Sequence, residues 1–344
     1  MRAKESICAV VVTFNRKELL NDCLKGLLAQ TRKVDAIIIV DNASSDNTAE
    51  FLMSEGYIQQ LPPDNISEPV IVRNRMCIDK FEVTQSSDFD FKTTYENNKL
   101  DIIYVRMNRN TGGAGGFHEG IKLAYELGYE WFWVMDDDGF PDANCLYTLE
   151  QSAYRNKLKV LNALVIDKDN KNLLSFALSR SIQTVKEAVL NGNDNRLVLG
   201  FINPFNGTFI NKEVVAVVGN IKKEMFIWGD ETEYTKRIIF NGFECATVVD
   251  ACFYHPTSKK TYKRMFWGLF HLVIYPDALG MNFYRNEAYI NRVYGRFYDN
   301  KILLRHIVSA ILEGEVIKSI WIFRYYIDGF FDLYKLPSIR YKKK

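Results

Sequence analysis

Residues 7–41, ICAVVVTFNRKELLNDCLKGLLAQTRKVDAIIIVD, read as strand, helix and strand in immediate succession. ICAVVV (7–12) is an unbroken apolar run, short and rich in valine, as a strand buried on both faces should be. RKELLNDCLKGLLAQ (16–30) follows with leucines at helical spacing, and AIIIV (36–40) is a second buried strand that stops at Asp41. In DNASSDNTAEFL (41–52), Ser45, Asp46 or Asn47 can cap a helix that runs through Ala49 and Phe51. Strands and helices alternating in this rhythm are joined by right-handed crossovers. They predict an α/β, Rossmann-like fold, a mostly parallel sheet with helices on both faces.

Outward from that unit the pattern breaks and returns. From about 57 to 100 the sequence is polar and mixed, and it reads as an insertion with short strands at PVIVR (69–73) and FEVT (81–84). DIIYVRM (101–107) predicts a strand, NRNTGGAGGFHEG (108–120) a glycine-rich turn, IKLAYELG (121–128) a helix, and YEWFWVM (129–135) a buried strand running into DDDG. LGFINPFNGTFINKEVVAVVG (199–219) reads as strand, turn and helix. WGDETEYTKRIIFNG (228–242) reads as an amphipathic helix stopped by Gly242, and ECATVVDACFYHP (244–256) as a strand ending at His255. Beyond 260 the character changes to helices rich in Trp, Phe, Tyr, Lys and Arg, closing with RYKKK. The reading is therefore a domain over 1–258 and a helical region over 259–344.

The 344 residues are 47% hydrophobic and 25% charged, a composition that excludes a largely disordered chain. A formal net charge of +2 does not advertise a polyanion, so nucleic acid is not an expected partner. The six cysteines (Cys8, Cys23, Cys77, Cys145, Cys245, Cys252) lack metal-ligand spacing and read as free thiols of a reducing compartment. The short run after MRAKES is a strand followed at once by Asn15 and Arg16, and no signal peptide is evident. No apolar stretch approaches the roughly 20 residues that span a bilayer. The expected location is the cytoplasm.

The strongest chemical signal is VMDDDG (134–139) at the end of a buried strand. Three successive carboxylates repel one another, and placing them at an apolar sheet edge calls for a cation. Extended alternation would put Asp136 and Asp138 on one side, a pair of hard oxygen ligands suited to Mn²⁺ or Mg²⁺, and Asp137 on the other. The plainer reading is a solvated acidic turn before a helix beginning near Pro141. Thr13, Asn15, Asp41 and Asn110 also follow strand ends, where ligands of open α/β sheets bind. The glycines around Gly112 and Gly113 could expose amides to phosphate, although a plain strand-to-helix turn accounts for them equally well, and the run does not fit Walker spacing. Asp230 and Glu231 open the later helix, where its dipole favours ionised carboxylates that could act as a general base or simply form an acidic first turn. His255, ahead of Pro256, could be a third metal ligand or a structural histidine.

Taken in order and spacing, VVVTFNRKELL, IIIVDNASSDNT, NTGGAGGFHEG, VMDDDG, FNGTFI and WGDETEY resemble glycosyltransferase family 2 with the GT-A fold, over about residues 6–258. Within that family the triple Asp, the glycine-rich turn and the late His most resemble bacterial galactofuranosyltransferases, with rhamnosyltransferase-like enzymes as neighbours. The resemblance implies an inverting transfer from a nucleotide-sugar donor, UDP-galactofuranose or dTDP-rhamnose, to a hydroxyl of a polysaccharide or lipid-linked glycan acceptor. It implies donor-binding positions at Thr13, Asn15, Arg16, Asp41, Asn110, Gly112, Gly113, Asp136, Asp137 and Trp228, and metal positions at Asp136, Asp138 and His255. The catalytic base falls on Glu231 by register, with Asp230, the commoner residue type, one residue before it. Alternatives from other classes are a nucleotidyltransferase, which would want a glycine-rich basic loop after the first strand, and a non-catalytic glycan- or membrane-binding scaffold. The aromatic and basic C-terminal region suits either a peripheral membrane contact or a homo-oligomer contact.

Overall fold

The structure, a computed structural model, describes residues 5–77, 99–257, 262–265, 270–273, 277–295 and 300–334. The chain divides into one unit of residues 1–111, 116–220 and 242–257 and another of residues 112–115, 221–241 and 258–344.

Among the described residues the first unit is built on a ten-stranded sheet. Its opening follows the sequence closely: β1 (Ile7–Thr13), α1 (Lys17–Leu28), β2 (Ala36–Asp41) and α2 (Thr48–Ser54). All residues of β1 and β2 are buried, and each such Val or Ile side chain contributes on the order of 1.5–3 kcal/mol. PVIVR becomes β3 (Val70–Cys77), which pairs antiparallel with β4 (Lys99–Arg106), while FEVT lies outside the described residues. Then come α3 (Gly112–Glu126), β5 (Trp131–Asp136), β6 (Phe140–Pro141), α4 (Cys145–Asn156), β7 (Val160–Asp167), α5 (Val185–Asn191), β8 (Leu197–Leu199), β9 (Asn206–Asn211) and α6 (Lys212–Val218). The last strand, β10 (Cys245–His255), completes the order β3-β4-β2-β1-β5-β9-β7-β10-β6, with β8 on β10.

β4, β2, β1 and β5 are parallel, as the crossover pattern predicts. β9 then enters antiparallel between β5 and β7, so the far half of the sheet is mixed. Two local expectations change. The glycine run is the first turns of α3 and not a free turn, because that helix packs tightly on β1. A Cβ at Gly116 would sit 2.5 Å from Val12 Cγ1, and one at Gly120 2.4 Å from Val10 Cγ1. Pro141, expected to open a helix, instead pairs in β6 with Phe253, and the helix begins at Cys145.

The second unit contains α7 (Asp230–Phe240), the hairpin β11 (Tyr262–Met265) and β12 (Phe270–Val273), and the helices α8 (Asp277–Tyr294), α9 (Lys301–Leu312) and α10 (Val316–Phe330). The hairpin departs from the all-helical expectation beyond 260. Met281, Tyr284, Leu303, Ala310 and Ile322 form the core of the three C-terminal helices. Gly329 lets α10 meet α8, since a Cβ there would fall 1.8 Å from the Arg285 carbonyl oxygen. Among the described residues no helix is long and apolar enough to cross a membrane.

Candidate active site

β5 ends at Asp136, whose amide donates to the Phe205 carbonyl at 3.0 Å, and the two following aspartates enter a turn. Extended alternation therefore stops at Asp136. Arg16 Nη1 bridges the next two carboxylates, donating to Asp137 Oδ1 at 3.2 Å and to Asp138 Oδ2 at 2.8 Å. Thr13 Oγ1 donates to Asp137 Oδ2 at 2.6 Å. Burial pushes the Asp137 carboxyl up to about 6 against the pull of Thr13 and Arg16.

Asp138 faces the other way chemically. Burial opposes its ionisation, yet the His255 hydrogen bond and the charges of His255 and Arg16 hold its carboxyl below the usual range. Its Oδ1 is buried and lies 2.8 Å from His255 Nε2. His255 Nδ1 is 2.6 Å from the Pro256 carbonyl oxygen, which only accepts, so that contact takes the Nδ1 proton. With a cation bound, Nε2 would give up its contact with Asp138 Oδ1 as a donor and offer a lone pair instead. A carboxylate oxygen and an imidazole lone pair facing each other are what a divalent cation needs from protein. Among the described residues no three Asp, Glu, His or Cys side chains already converge as a ligand set, and of the expected ligands Asp138 and His255 are the two in direct contact. Both fit Mn²⁺ or Mg²⁺ if the remaining ligands are diphosphate oxygens and water.

The turn after β2 is tied down by Asp41, which is fully buried. Its Oδ2 accepts from Tyr104 Oη at 2.5 Å and Arg106 Nη1 at 2.6 Å, and its Oδ1 accepts from the Ser44 amide at 2.8 Å. Arg106 Nη2 also donates to the Ser44 carbonyl at 2.7 Å. Asn15, at a left-handed φ of 55°, accepts from the Ser45 amide at 2.6 Å and donates its own amide to Ser44 Oγ at 2.9 Å. Asn42 Oδ1 accepts from the Thr111 amide and hydroxyl, both at 2.9 Å, which fixes the chain just after the exposed Asn110. An open cleft of about 480 Å³ beside the turn is lined by Ala43, Asp64, Asn65, Ile66, Arg106 and Asn108. Tyr104, Arg106 and Ser44 were not singled out from sequence. The signal was present, since Asp41 and Arg106 end neighbouring parallel strands in register.

In the second unit, Gly112 has φ +71°, and a Cβ there would fall 1.9 Å from the Phe226 carbonyl oxygen. Gly113 follows it in the first turn of α3, and the Ala114 amide donates to that same Phe226 carbonyl at 3.1 Å. Trp228, at φ 60°, and Gly229, at φ 104°, lead into α7. Asp230 is buried, whereas Glu231 is half-buried and its Oε2 accepts from the Gly229 amide at 3.0 Å. Glu233 binds Arg237 through both oxygens and accepts from Tyr294 Oη at 2.9 Å, which commits it to the fold.

The model of glycosyl transferase family 2 matches residues 8–60 and 91–210, the stretches that carry β1, the Asp41 turn, α3, the aspartates and β9. The chain belongs to glycosyl transferase family 2. This glycosyltransferase is 31% identical over 291 residues to galactofuranosyltransferase GlfT1 of Mycobacterium tuberculosis, covering 83% of this chain and 82% of that one. It is 29% identical over 298 residues to galactofuranosyltransferase GlfT1 of Mycolicibacterium smegmatis, covering 84% of each. Among solved structures, S. aureus TarS 1-349 in complex with UDP-GlcNAc is similar, with a TM-score of 0.54 at 10% identity over 94% of this chain and 81% of that one. That likeness is one of fold, the GT-A arrangement predicted from the sequence.

Proposed function

We propose that this glycosyltransferase moves a galactofuranosyl residue from UDP-galactofuranose to a hydroxyl of a polysaccharide or lipid-linked glycan, inverting the anomeric carbon with the help of Mn²⁺ or Mg²⁺. The observation that carries the donor assignment is the 31% identity to a galactofuranosyltransferase across more than four-fifths of both chains. Asp138 and His255 would hold the cation, and it would supply charge neutralisation on the departing diphosphate. Arg16 lies against the same carboxylates and would meet a phosphate there. Thr13 and Asp137 would form the floor of the donor position, with Asp136 as a further donor contact, and Asn15 and Asp41 would shape the nucleoside turn through the backbone they tie down. Asn110, Gly112, Gly113 and Trp228 take donor-binding roles by family position.

Glu231 is proposed as the base that takes the acceptor proton, with Asp230 as its rival. A half-buried carboxylate at a helix start is reachable by an acceptor hydroxyl, whereas Asp230 is buried, which favours Glu231. The reading extends to a cytoplasmic enzyme that meets its acceptor at the membrane surface, supported by the exposed Ile317, Ile320 and Phe323 of α10. A transfer screen across UDP- and dTDP-sugars with Mn²⁺ tests the donor. Turnover of UDP-galactofuranose alone is expected, and turnover of dTDP-rhamnose alone would overturn that assignment. Glu231→Gln should lower kcat by about 10²–10⁴-fold while UDP binding holds. A dead Asp230→Asn beside an active Glu231→Gln would move the base one residue back.

A further inference from the structure

The segment that leads into α7 has an inverted backbone. Phe226 (φ 66°), Trp228 (φ 60°) and Gly229 (φ 104°) all lie in the left-handed region, and two of the three are aromatic residues that rarely adopt it. Such a conformation persists only when its surroundings over-determine it. The surroundings here are two adjacent side chains of α8. Asn286, fully buried, donates through Nδ2 to the carbonyls of Met225 at 2.9 Å, Ile227 at 3.1 Å and Trp228 at 2.7 Å. Arg285, also buried, donates through Nη2 to the carbonyls of Glu224 at 3.1 Å and Met225 at 3.3 Å and to Asn282 Oδ1 at 3.0 Å. Four successive or near-successive carbonyls thus point at one amide and one guanidinium, and the last of them, on Trp228, lies two residues before Asp230.

The clamp is itself braced. The Arg285 guanidinium stacks 4.5 Å from the Tyr334 ring, and Lys222, just ahead of the segment, pairs with Asp332 at 2.8 Å and lies 4.8 Å from the Tyr289 ring. Gly229 is required where it stands, since a Cβ there would fall 3.1 Å from Asn286 Cβ at a φ that already excludes most side chains.

We propose that Asn286 and Arg285 are positioning residues for the transfer reaction. They hold Lys223–Gly229 in one conformation so that Trp228 and the carboxylates of Asp230 and Glu231 are presented in fixed geometry. The C-terminal helices therefore serve turnover as well as any docking role. This rests on the assignment of the base to the head of α7, and the two can fail separately.

The test compares Asn286→Asp, which replaces the donor amide by an oxygen facing three carbonyls, with Arg285→Lys, which keeps the charge but loses the fork. Hydrogen exchange over residues 221–232, kcat, donor KM and calorimetric UDP binding are measured for each. The expected result is faster exchange in that segment but not across the rest of the second unit, with kcat down by about 100-fold for Asn286→Asp and less for Arg285→Lys, and with donor KM and UDP affinity changed by a much smaller factor through Trp228. Unchanged exchange in both variants, or a kcat that holds while exchange rises, overturns the proposal. So does a loss of UDP affinity and melting temperature in step with kcat, which marks general unfolding. If Asp230→Asn and Glu231→Gln both remain active, the base assignment fails on its own, and the kcat and exchange data still decide whether the clamp matters to turnover.

Discussion

Arg106 and Asp41 stand opposite each other at the ends of β4 and β2, and Arg106 Nη1 donates to Asp41 Oδ2 at 2.6 Å. The carboxylate is wholly buried while the guanidinium side chain is 25% exposed, so water shares the cost of only one partner. Asp41→Asn leaves Arg106 and Tyr104 facing a neutral amide. A broken buried pair costs about 3–5 kcal/mol, and the exposure of Arg106 lowers the expected loss to about 2–3 kcal/mol. The urea midpoint should fall with an unchanged slope. A midpoint that holds would mean the turn does not depend on this carboxylate.

The facing pair Asp138 and His255 predicts where cation affinity resides. His255→Ala should weaken Mn²⁺ binding at least about tenfold, in titrations read by the electron paramagnetic resonance of free Mn²⁺ with UDP present. Asp138→Asn should weaken it more, since it removes charge as well as a ligand. Equal affinity in wild type and both variants would move the cation elsewhere.

Arg16 occupies the outer side of the same carboxylates with a half-exposed side chain. Its charge sits on Asp138 Oδ2 and opposes a cation at the other oxygen, Oδ1. Arg16→Ala removes that competitor, worth about 1 kcal/mol at such exposure, so Mn²⁺ alone should bind roughly fivefold more tightly. Calorimetric titration of Mn²⁺ without nucleotide gives the answer, and weaker binding would show that Arg16 supports the cation instead of opposing it.

The first half of the sheet was legible because strands buried on both faces leave continuous apolar runs, and Thr13, Asp41 and Asp136 could be placed by where those runs stop. The pattern could not show what happens after the stop. Asp137 and Asp138 share Arg16 because the chain turns at once after β5, a geometry that period-two alternation does not contain. The glycines of α3 looked like a turn because glycine disfavours helix, yet Gly116 and Gly120 are there to let the helix touch Val12 and Val10. Residues 151–198 carried no reading at all, although β7 is buried throughout and continues the same sheet. Asn286 lies about 60 residues from the loop it holds, and local pattern does not reach that far.

His306 gives the second unit a pH dependence of its own. Its ring packs 5.2 Å from Tyr284 and its Nδ1 lies 3.1 Å from the Tyr284 hydroxyl, in the core of the C-terminal helices. Burial, with the Lys318 charge adding to it, lowers its pKa to about 4. An unfolded histidine takes up its proton near 6.5. Between those values the unfolded chain binds a proton that the folded chain refuses, so stability is complete above about 6.5 and is lost as pH falls toward about 4. The loss at pH 4 is on the order of 3 kcal/mol for a shift of this size. His306→Gln keeps a polar partner for Tyr284 and removes the titration. Chemical denaturation of both proteins at pH 7 and 4.5 should therefore show a smaller acid loss in the variant. The same loss in both would assign the acid sensitivity to other groups.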